Sequence, residues 1–212
     1  QFRLPGYGSF GISVEDFSVD YSGNSLSKET SIGLHQGITL SSDRNSTISF
    51  GYGIKNYTVD YGSTAGVTGD GSDGIDLGSQ SSLGIDIGLL ASLADRIRFG
   101  AKAFNINSPT LGDANSAVRL PQRAQVGIAF SPYDLVWTTV ALTKSTGHAS
   151  HFHGGMSYHI LDNIFLRAGV MTNPNRFATG FEVLIKRIRI NYAFITHPVL
   201  PLSHQISVEV VR

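Results

Sequence analysis

Three histidines in the C-terminal half of the sequence have a spacing that could bind a metal ion. His151, His153 and His159 share one face of a predicted strand, and His148 lies in the adjoining loop. Side chains two residues apart on a strand are about 7 Å apart, a distance at which two imidazoles can converge on one transition metal. The sequence identifies no partner carboxylate, so a polar strand face without metal is the alternative interpretation.

A glycine-rich segment, Gly69–Asp76, gathers three carboxylates that could bind calcium. Asp70, Asp73 and Asp76 recur at intervals of three among glycines. Calcium prefers flexible loops rich in oxygen ligands, but the spacing and the distal glutamate of an EF-hand are missing. We therefore interpret this segment as a solvated outer loop, with a calcium site as the alternative.

Hydrolytic chemistry is not favoured by the sequence. Ser203 and His204 are adjacent, so within a strand their side chains point to opposite faces. No Gly-x-Ser-x-Gly nucleophile motif occurs,. The sequence predicts a protein that is not an enzyme and needs no cofactor.

Eight charged residues fall on the polar faces of predicted strands and are candidates to line the lumen of a barrel. They are Lys55, Asp86, Arg98, Lys102, Arg167, Glu182, Arg189 and Glu209. Both signs occur among them, so they can pair across a narrow interior. Wide water-filled channels need about 16 to 18 strands, and this chain offers fewer.

The elements that would position these side chains are strands in which apolar and polar residues alternate. Phe181, Val183 and Ile185, for example, oppose Gly180 and Glu182,. About twelve such stretches follow one another. The first changes phase between Val14 and Phe17, which predicts a β-bulge.

Short links and longer polar links alternate between these strands. The short ones are Ser42–Asn45, Ala94–Arg96, Pro132–Asp134, Leu161–Asn163 and Lys186–Arg187, and the longer ones include Gly62–Gln80, Ser108–Arg123 and Thr196–Leu202. This pattern is typical of a transmembrane β-barrel. We predict an all-β, antiparallel transmembrane barrel of about 12 strands with both termini periplasmic.

Aromatic residues near the strand ends are candidates for the two interfacial girdles of such a barrel. Those next to short links are Tyr133, Trp137 and Phe165, and those next to longer links are Tyr57, Tyr61 and Phe194.

Composition narrows the class of protein. The 212 residues are predicted to form one domain, 1–212. Charged residues make up 15 % of the chain and sum to a net charge of zero, so no basic stripe is available for nucleic acid. No run approaches the roughly 20 apolar residues of a membrane helix, and the mean hydropathy is +0.03. Cysteine is absent, which excludes disulfides and is compatible with an oxidising envelope compartment.

Two further expectations concern the compartment. No leader-like segment precedes Gln1, so we expect either a mature chain whose leader has been removed or a cytosolic protein, and we favour the mature chain. A soluble all-β fold is the alternative to the membrane barrel, but its inward face would be bulky and apolar. The less apolar face here is rich in Gly, Ser and charged residues, which favours the membrane barrel.

The sequence from Ile97 onwards resembles the long-chain fatty-acid transporter superfamily of outer-membrane barrels, and within it the accessory barrels of the type IX secretion machinery of Bacteroidetes. The resemblance rests on Leu120-Pro121, Phe130-Ser131-Pro132, Asp162–Gly169, Asn191–Phe194 and Leu202–Ser207. Members of the superfamily typically have fourteen strands and an N-terminal plug with an Asn-Pro-Ala motif, which this sequence does not contain.

The resemblance implies a non-enzymatic protein of the Gram-negative outer membrane. Its expected partners are outer-membrane lipid and another outer-membrane protein or complex, for which it would act as an accessory or structural subunit in transport or secretion. The alternative is a narrow, porin-like channel for a small or hydrophobic solute.

Overall fold

The computed structural model describes residues 2–21, 24–64, 66–67, 69, 73–112 and 117–210, and these residues form strands, turns and loops. The strands are β1 (Phe2–Leu4), β2 (Gly8–Tyr21), β3 (Asn24–Ser42), β4 (Ser46–Asp60), β5 (Ser79–Leu93), β6 (Ile97–Phe104), β7 (Thr110–Leu111), β8 (Val118–Arg119), β9 (Arg123–Tyr133), β10 (Val136–Ser145), β11 (His151–Leu161), β12 (Ile164–Met171), β13 (Arg176–Ile185), β14 (Ile188–Ile195) and β15 (Ser203–Val210). Within the described part of the chain, no helix is long and apolar enough to cross a membrane.

The strand order follows the chain order. A 13-stranded sheet contains β1 to β6 and β9 to β15, each beside its neighbours in sequence, and β7 pairs with β8 in a separate two-stranded sheet. Twelve of the 13 strands have eight residues or more, and β1 has three. The prediction of about twelve alternating strands is confirmed, and β1 is an addition to it.

The chain forms two compact units. The first contains Gln1–Leu40, Ser49–Leu89 and Lys102–Gln122, and the second contains Ser41–Ile48, Leu90–Ala101 and Arg123–Arg212. The second unit therefore holds β9 to β15 together with the β3–β4 and β5–β6 turns. One domain over 1–212 stays a prediction.

Tight turns join alternate strand pairs, and within the second unit backbone hydrogen bonds connect such turns to a neighbouring turn or strand. Ala94 N–H donates to Asn45 O at 2.6 Å, and Ser131 N–H donates to Arg96 O at 2.8 Å. Ala94 and Asp95 adopt positive φ of 50° and 52°, as the two central residues of a type I′ hairpin turn do. Short turns alternate with longer connections as predicted, with the expected brief connections on the longer side at 146–150 and 172–175. The predicted brief loop near Ser22–Ser27 falls partly on residues 22–23, which lie outside the described residues.

Three details differ from the sequence prediction. The turn after β9 covers residues 134–135, because Pro132 and Tyr133 still belong to the strand. The link between β6 and β9 contains the β7–β8 hairpin. The register shift of the first long strand lies between Val19 and Asp20, so the predicted position of the bulge, between Val14 and Phe17, is wrong.

Large apolar side chains form an exposed face of the sheet. In β10 to β13, Val140, Met156, Leu166 and Phe181 are all exposed. Monomeric soluble proteins rarely expose contiguous apolar surface of more than a few hundred Å². The exposed apolar face is therefore suited to contact with lipid chains.

Three of the predicted girdle residues lie on the other face. Tyr57 follows the exposed Ile54 by three residues and donates to Asn105 Oδ1. Trp137 lies three residues before the exposed Val140, an odd spacing, and it pairs in register with Ser157. Phe165 lies one residue before the exposed Leu166. Because successive side chains point to opposite faces, none of these three rings belongs to the exposed apolar face, and their assignment to a lipid-facing girdle is wrong.

Adjacent positions of β10 provide a test of lipid contact. Val140→Arg places a charge on the exposed apolar face and is expected to lower the free energy of unfolding by about 2–4 kcal/mol, measured by urea titration in lipid vesicles. Thr139→Arg adds the same side chain on the opposite face, beside Gly155 and Ala129, and is expected to cost clearly less. Equal losses for the two variants would contradict lipid contact.

Candidate functional site

Two carboxylates are almost fully buried on the face opposite the exposed apolar face. Asp86 in β5 is 2 % exposed and Glu182 in β13 is 3 % exposed, whereas their neighbours Ile87 and Phe181 are exposed. A buried carboxylate is costly unless it is paired and hydrogen-bonded. The partners of these two groups therefore determine what this polar face can do.

Glu182 is the centre of a charge network that crosses β12 to β15. Arg167 Nη2 contacts its Oε2, and Arg189 Nε lies 3.0 Å from its Oε1. Arg189 Nη1 also contacts Glu209 Oε2 at 2.8 Å, and Arg167 Nη1 donates to Asn191 Oδ1 at 3.4 Å. Four of the eight predicted lumen residues are thus brought together as alternating opposite charges. Their position on the wall of a lumen stays a prediction.

Arg98 has an aromatic partner. Its guanidinium carbon lies 4.2 Å from the centroid of the Trp137 ring, within the range of a cation–π interaction. The contact forms because the side chains of Trp137 and Arg98 lie on the same face of the sheet.

Lys55 forms an ion pair that the sequence prediction did not include. Its Nζ lies 3.5 Å from Glu15 Oε1, and its side chain is 13 % exposed. Ser31 Oγ donates to the other oxygen of Glu15 at 3.0 Å. Glu15 was missed because the predicted change of phase after Val14 obscured its face.

Asp86 is held by a loop residue at the end of β6. The backbone N–H of Asn105 donates to Asp86 Oδ1 at 3.0 Å. Tyr57 Oη donates to Asn105 Oδ1 at 3.1 Å, and Asn105 Nδ2 donates to Pro121 O at 3.2 Å. A Cβ atom on Gly84 would lie 2.5 Å from Asn105 Oδ1 and 2.7 Å from Tyr57 Cε2, so only glycine fits there.

Lys102 is the charged neighbour of Asp86. Its Nζ lies 4.0 Å from Asp86 Oδ2 and 4.1 Å from the centroid of the Phe104 ring. The lysine therefore lies between a carboxylate and an aromatic ring, and its side chain is 44 % exposed.

A cavity of about 500 Å³ opens on this face within the first unit. We call it the glycine cavity, because five of its lining residues, spread over β2 to β5, are Gly11, Gly37, Gly51, Gly53 and Gly88. His35, Asp86 and Lys102 also line it. A Cβ atom on Gly37 would meet nothing within 4 Å, so this position faces open space.

His35 is fitted between glycines of neighbouring strands. Its Nε2 lies 2.9 Å from Ser13 Oγ. A Cβ atom on Gly33 would lie 2.7 Å from His35 Nε2, and one on Gly53 would overlap His35 Nδ1. Because Gly33 and Gly53 have no side chains, the His35 imidazole fits between the strands. The glycines that line the cavity leave its space unfilled.

The three predicted metal-binding histidines have separate surroundings. His151 Nδ1 lies 3.3 Å from Thr172 O, and His153 Nε2 lies 3.2 Å from Thr143 Oγ1. The His159 ring packs against Phe165, with 3.7 Å between centroids. Across the described ranges, no three His, Cys, Asp or Glu side chains are grouped so that they could hold a metal ion. A metal site here stays a prediction.

Two of the three predicted calcium ligands lie in the described residues, and Asp70 lies outside them. Asp73 Oδ2 accepts from Val67 N–H at 3.2 Å, and Asp76 Oδ1 accepts from Gly78 N–H at 2.8 Å. Both carboxylates thus stabilise turns of the loop, and calcium binding stays a prediction.

No protein-family model matches the sequence, and no curated protein matches it either. Several solved structures match this chain. The Pseudomonas putida toluene transporter TodX is 12 % identical with a TM-score of 0.54, over 94 % of this chain and 75 % of TodX. A TodX deltaS2 mutant, described as a monoaromatic hydrocarbon channel, is 11 % identical with a TM-score of 0.59, over 88 % and 72 %.

A third match is a Pseudomonas aeruginosa FadL homologue, 14 % identical with a TM-score of 0.54, over 91 % of this chain and 67 % of the homologue. At these identities the likeness shows the fold, which is the antiparallel β-barrel of FadL-type and TodX-type outer-membrane proteins. The predicted all-β antiparallel barrel of about 12 strands is confirmed, and the periplasmic position of both termini stays a prediction. Two of the three matched structures are described as a channel and a transporter. That this chain is not an enzyme stays a prediction.

Removing the charge of Glu182 tests the network. Glu182→Gln leaves Arg167 and Arg189 without their shared counter-charge and is expected to lower the free energy of unfolding by about 3 kcal/mol. The matched control, Glu209→Gln, changes a carboxylate that is 57 % exposed and is expected to cost less than about 1 kcal/mol. Urea titration in lipid vesicles measures both, and a smaller loss for Glu182→Gln than for Glu209→Gln would refute the network's role.

The fit around Asn105 gives a second prediction. Gly84→Ala forces a methyl group against Asn105 and Tyr57 and is expected to cost about 1–3 kcal/mol by overpacking. Gly37→Ala, where the new methyl meets open space, is expected to change the free energy of unfolding by less than about 0.5 kcal/mol. Equal effects in the same titration would show that the contact at Gly84 relaxes freely.

Proposed function

We propose that this protein is a channel of the bacterial outer membrane that passes small hydrophobic solutes. The observation that carries the proposal is the glycine cavity of about 500 Å³ on the polar face of the sheet. Its volume lies in the range of small-molecule sites, about 300–1,000 Å³. Glycines on four neighbouring strands make this space by leaving out side chains.

The fold supports the same function. Two matched structures are described as a monoaromatic hydrocarbon channel and a toluene transporter, and we extend hydrophobic transport from them to this chain. The exposed apolar face supports an outer-membrane location, with lipid as the surrounding partner. The proposal favours the channel interpretation over the accessory subunit that the sequence suggested first.

The charge arrangement supports an uncharged cargo. Lys55 is paired with Glu15, and Arg167 and Arg189 are paired with Glu182. Ion selectivity usually depends on rings of charge of one sign. Neutralised pairs leave little net field to select an ion, and this suits a small neutral molecule.

Filling the cavity tests the proposal. Gly37→Phe projects a ring into the open space of the cavity without a backbone clash and is expected to reduce toluene uptake at least tenfold, measured in proteoliposomes that contain lipopolysaccharide. The matched control is Gly100→Phe, because an added Cβ there meets only Leu90 Cδ1 at 3.9 Å and Gly100 does not line the cavity. Uptake that survives in Gly37→Phe would refute a route through the glycine cavity.

A second candidate function is the accessory subunit of a secretion or transport complex, in line with the resemblance to type IX secretion barrels. The Glu182 network favours it, since opposite charges that join β12 to β15 suit a closed scaffold. Verified insertion into lipopolysaccharide-containing vesicles, with neither toluene uptake nor conductance in a planar bilayer, would support this function and exclude the channel.

A further inference from the structure

An open pocket of about 540 Å³ lies at the tight-turn end of the second unit. We call it the turn pocket. Arg96 of the β5–β6 turn lines it together with Tyr133, Asp134, Leu135 and Tyr158. The proposed channel does not use this pocket, because the glycine cavity belongs to the first unit.

Two tyrosines border the turn pocket on the exposed apolar face. A register shift at the start of β10 pairs Val136 with Tyr133. Val136 also pairs with Tyr158 in β11, and Tyr158 pairs with the exposed Leu166. Paired residues point to the same face of a sheet, so both tyrosines belong to the apolar face. Tyrosine is enriched at the depth of the lipid headgroups, which is where we expect this end of the strands.

A pair of opposite charges forms the polar part of the turn pocket. Arg96 Nη2 donates to Asp134 Oδ1 at 2.8 Å, and Arg96 Nη1 donates to Ser131 O and Pro132 O at 3.4 Å. The Arg96 side chain is 50 % exposed and the Asp134 side chain is 88 % exposed. A guanidinium has five N–H donors and a carboxylate has about four acceptor sites. Each group can therefore also bind a ligand.

This arrangement has the shape and charge of a site for a phospholipid. The acyl chains would lie along the apolar face that continues from Tyr158 to Leu166. The phosphate suits Arg96, because a guanidinium donates to phosphate oxygens through charge-assisted hydrogen bonds. Asp134 lies beside Arg96 and repels a headgroup that carries negative charge alone, so the site favours a headgroup with a second, positive group.

The carboxylate of Asp134 also distinguishes between positive groups. A primary ammonium has three N–H donors, whereas a quaternary ammonium has no hydrogen to donate. We propose that the turn pocket binds a phospholipid with an ethanolamine headgroup, its phosphate at Arg96 and its ammonium at Asp134. The proposal depends on lipid contact by the apolar face and not on what passes through the barrel.

Three phospholipids with identical acyl chains and ethanolamine, choline or glycerol headgroups test the proposal. The dissociation constant of the first bound lipid is measured by native mass spectrometry of the full chain in detergent micelles. We expect the ethanolamine lipid to bind about fivefold more tightly than the other two, which is the effect of one exposed charge pair.

Variants at the two charged positions assign the contacts. In Asp134→Asn the preference for ethanolamine should fall to about twofold or less, and Asp134→Glu, which keeps the charge, should retain it. Arg96→Gln should weaken the binding of all three lipids about fivefold, because all three contain the phosphate. Urea titration in lipid vesicles shows that each variant is folded.

Matched controls come from two other tight turns. Asp162→Asn and Arg187→Gln remove the same charges from exposed side chains that do not line the turn pocket. Both should leave the three dissociation constants unchanged.

Four results would overturn the proposal. They are equal binding of the three lipids to the unmodified chain, a preference for ethanolamine that survives in Asp134→Asn, the same loss of preference in Asp162→Asn, and tightest binding of the choline lipid. The last result would assign the headgroup to the tyrosine rings through cation–π contact. Toluene uptake is measured separately, so failure of the headgroup site and failure of the channel are distinguishable.

Discussion

A strand turns successive side chains to opposite faces, and this period of two governs the whole molecule. It gives the chain an apolar face suited to lipid and a polar face. On the polar face, a buried charged side chain is costly unless it has a partner of opposite charge. Glu182 is 3 % exposed and is tolerable because Arg167 and Arg189 reach it from the neighbouring strands. The charge pairs therefore follow from the alternation. The glycine cavity lies on the same face, where glycines stand in place of residues with larger side chains.

Glycine has two opposite uses on this face. At Gly84 its missing side chain lets Asn105 and Tyr57 approach closely and hold Asp86 in place. At Gly37 the missing side chain leaves space that nothing fills. The first use allows the hydrogen bonds that hold Asp86, and the second leaves the cavity open. Small-molecule sites are usually concave and largely pre-formed in this way.

Alternation and turn chemistry were enough to predict much of the fold. The turns at Ala94–Arg96 and Lys186-Arg187 and the loop 196–202 have the predicted bounds. The β7–β8 hairpin was not predicted because its strands have two residues each, too few for a period to appear. The alternation assigned eight charged residues to the polar face, but Glu15, His35 and Asn105 were missed. Their roles depend on cross-strand register and on a positive φ of 55° at Asn105, and the sequence encodes neither in a local pattern.

The most direct measurement of the central claim, that a hydrophobic solute occupies the glycine cavity, is anomalous diffraction from crystals soaked with 4-bromotoluene. We expect a bromine peak among the residues that line the cavity, beside Gly37 and Gly51. Bromine found only against the exposed apolar face, with none in the cavity, would contradict it.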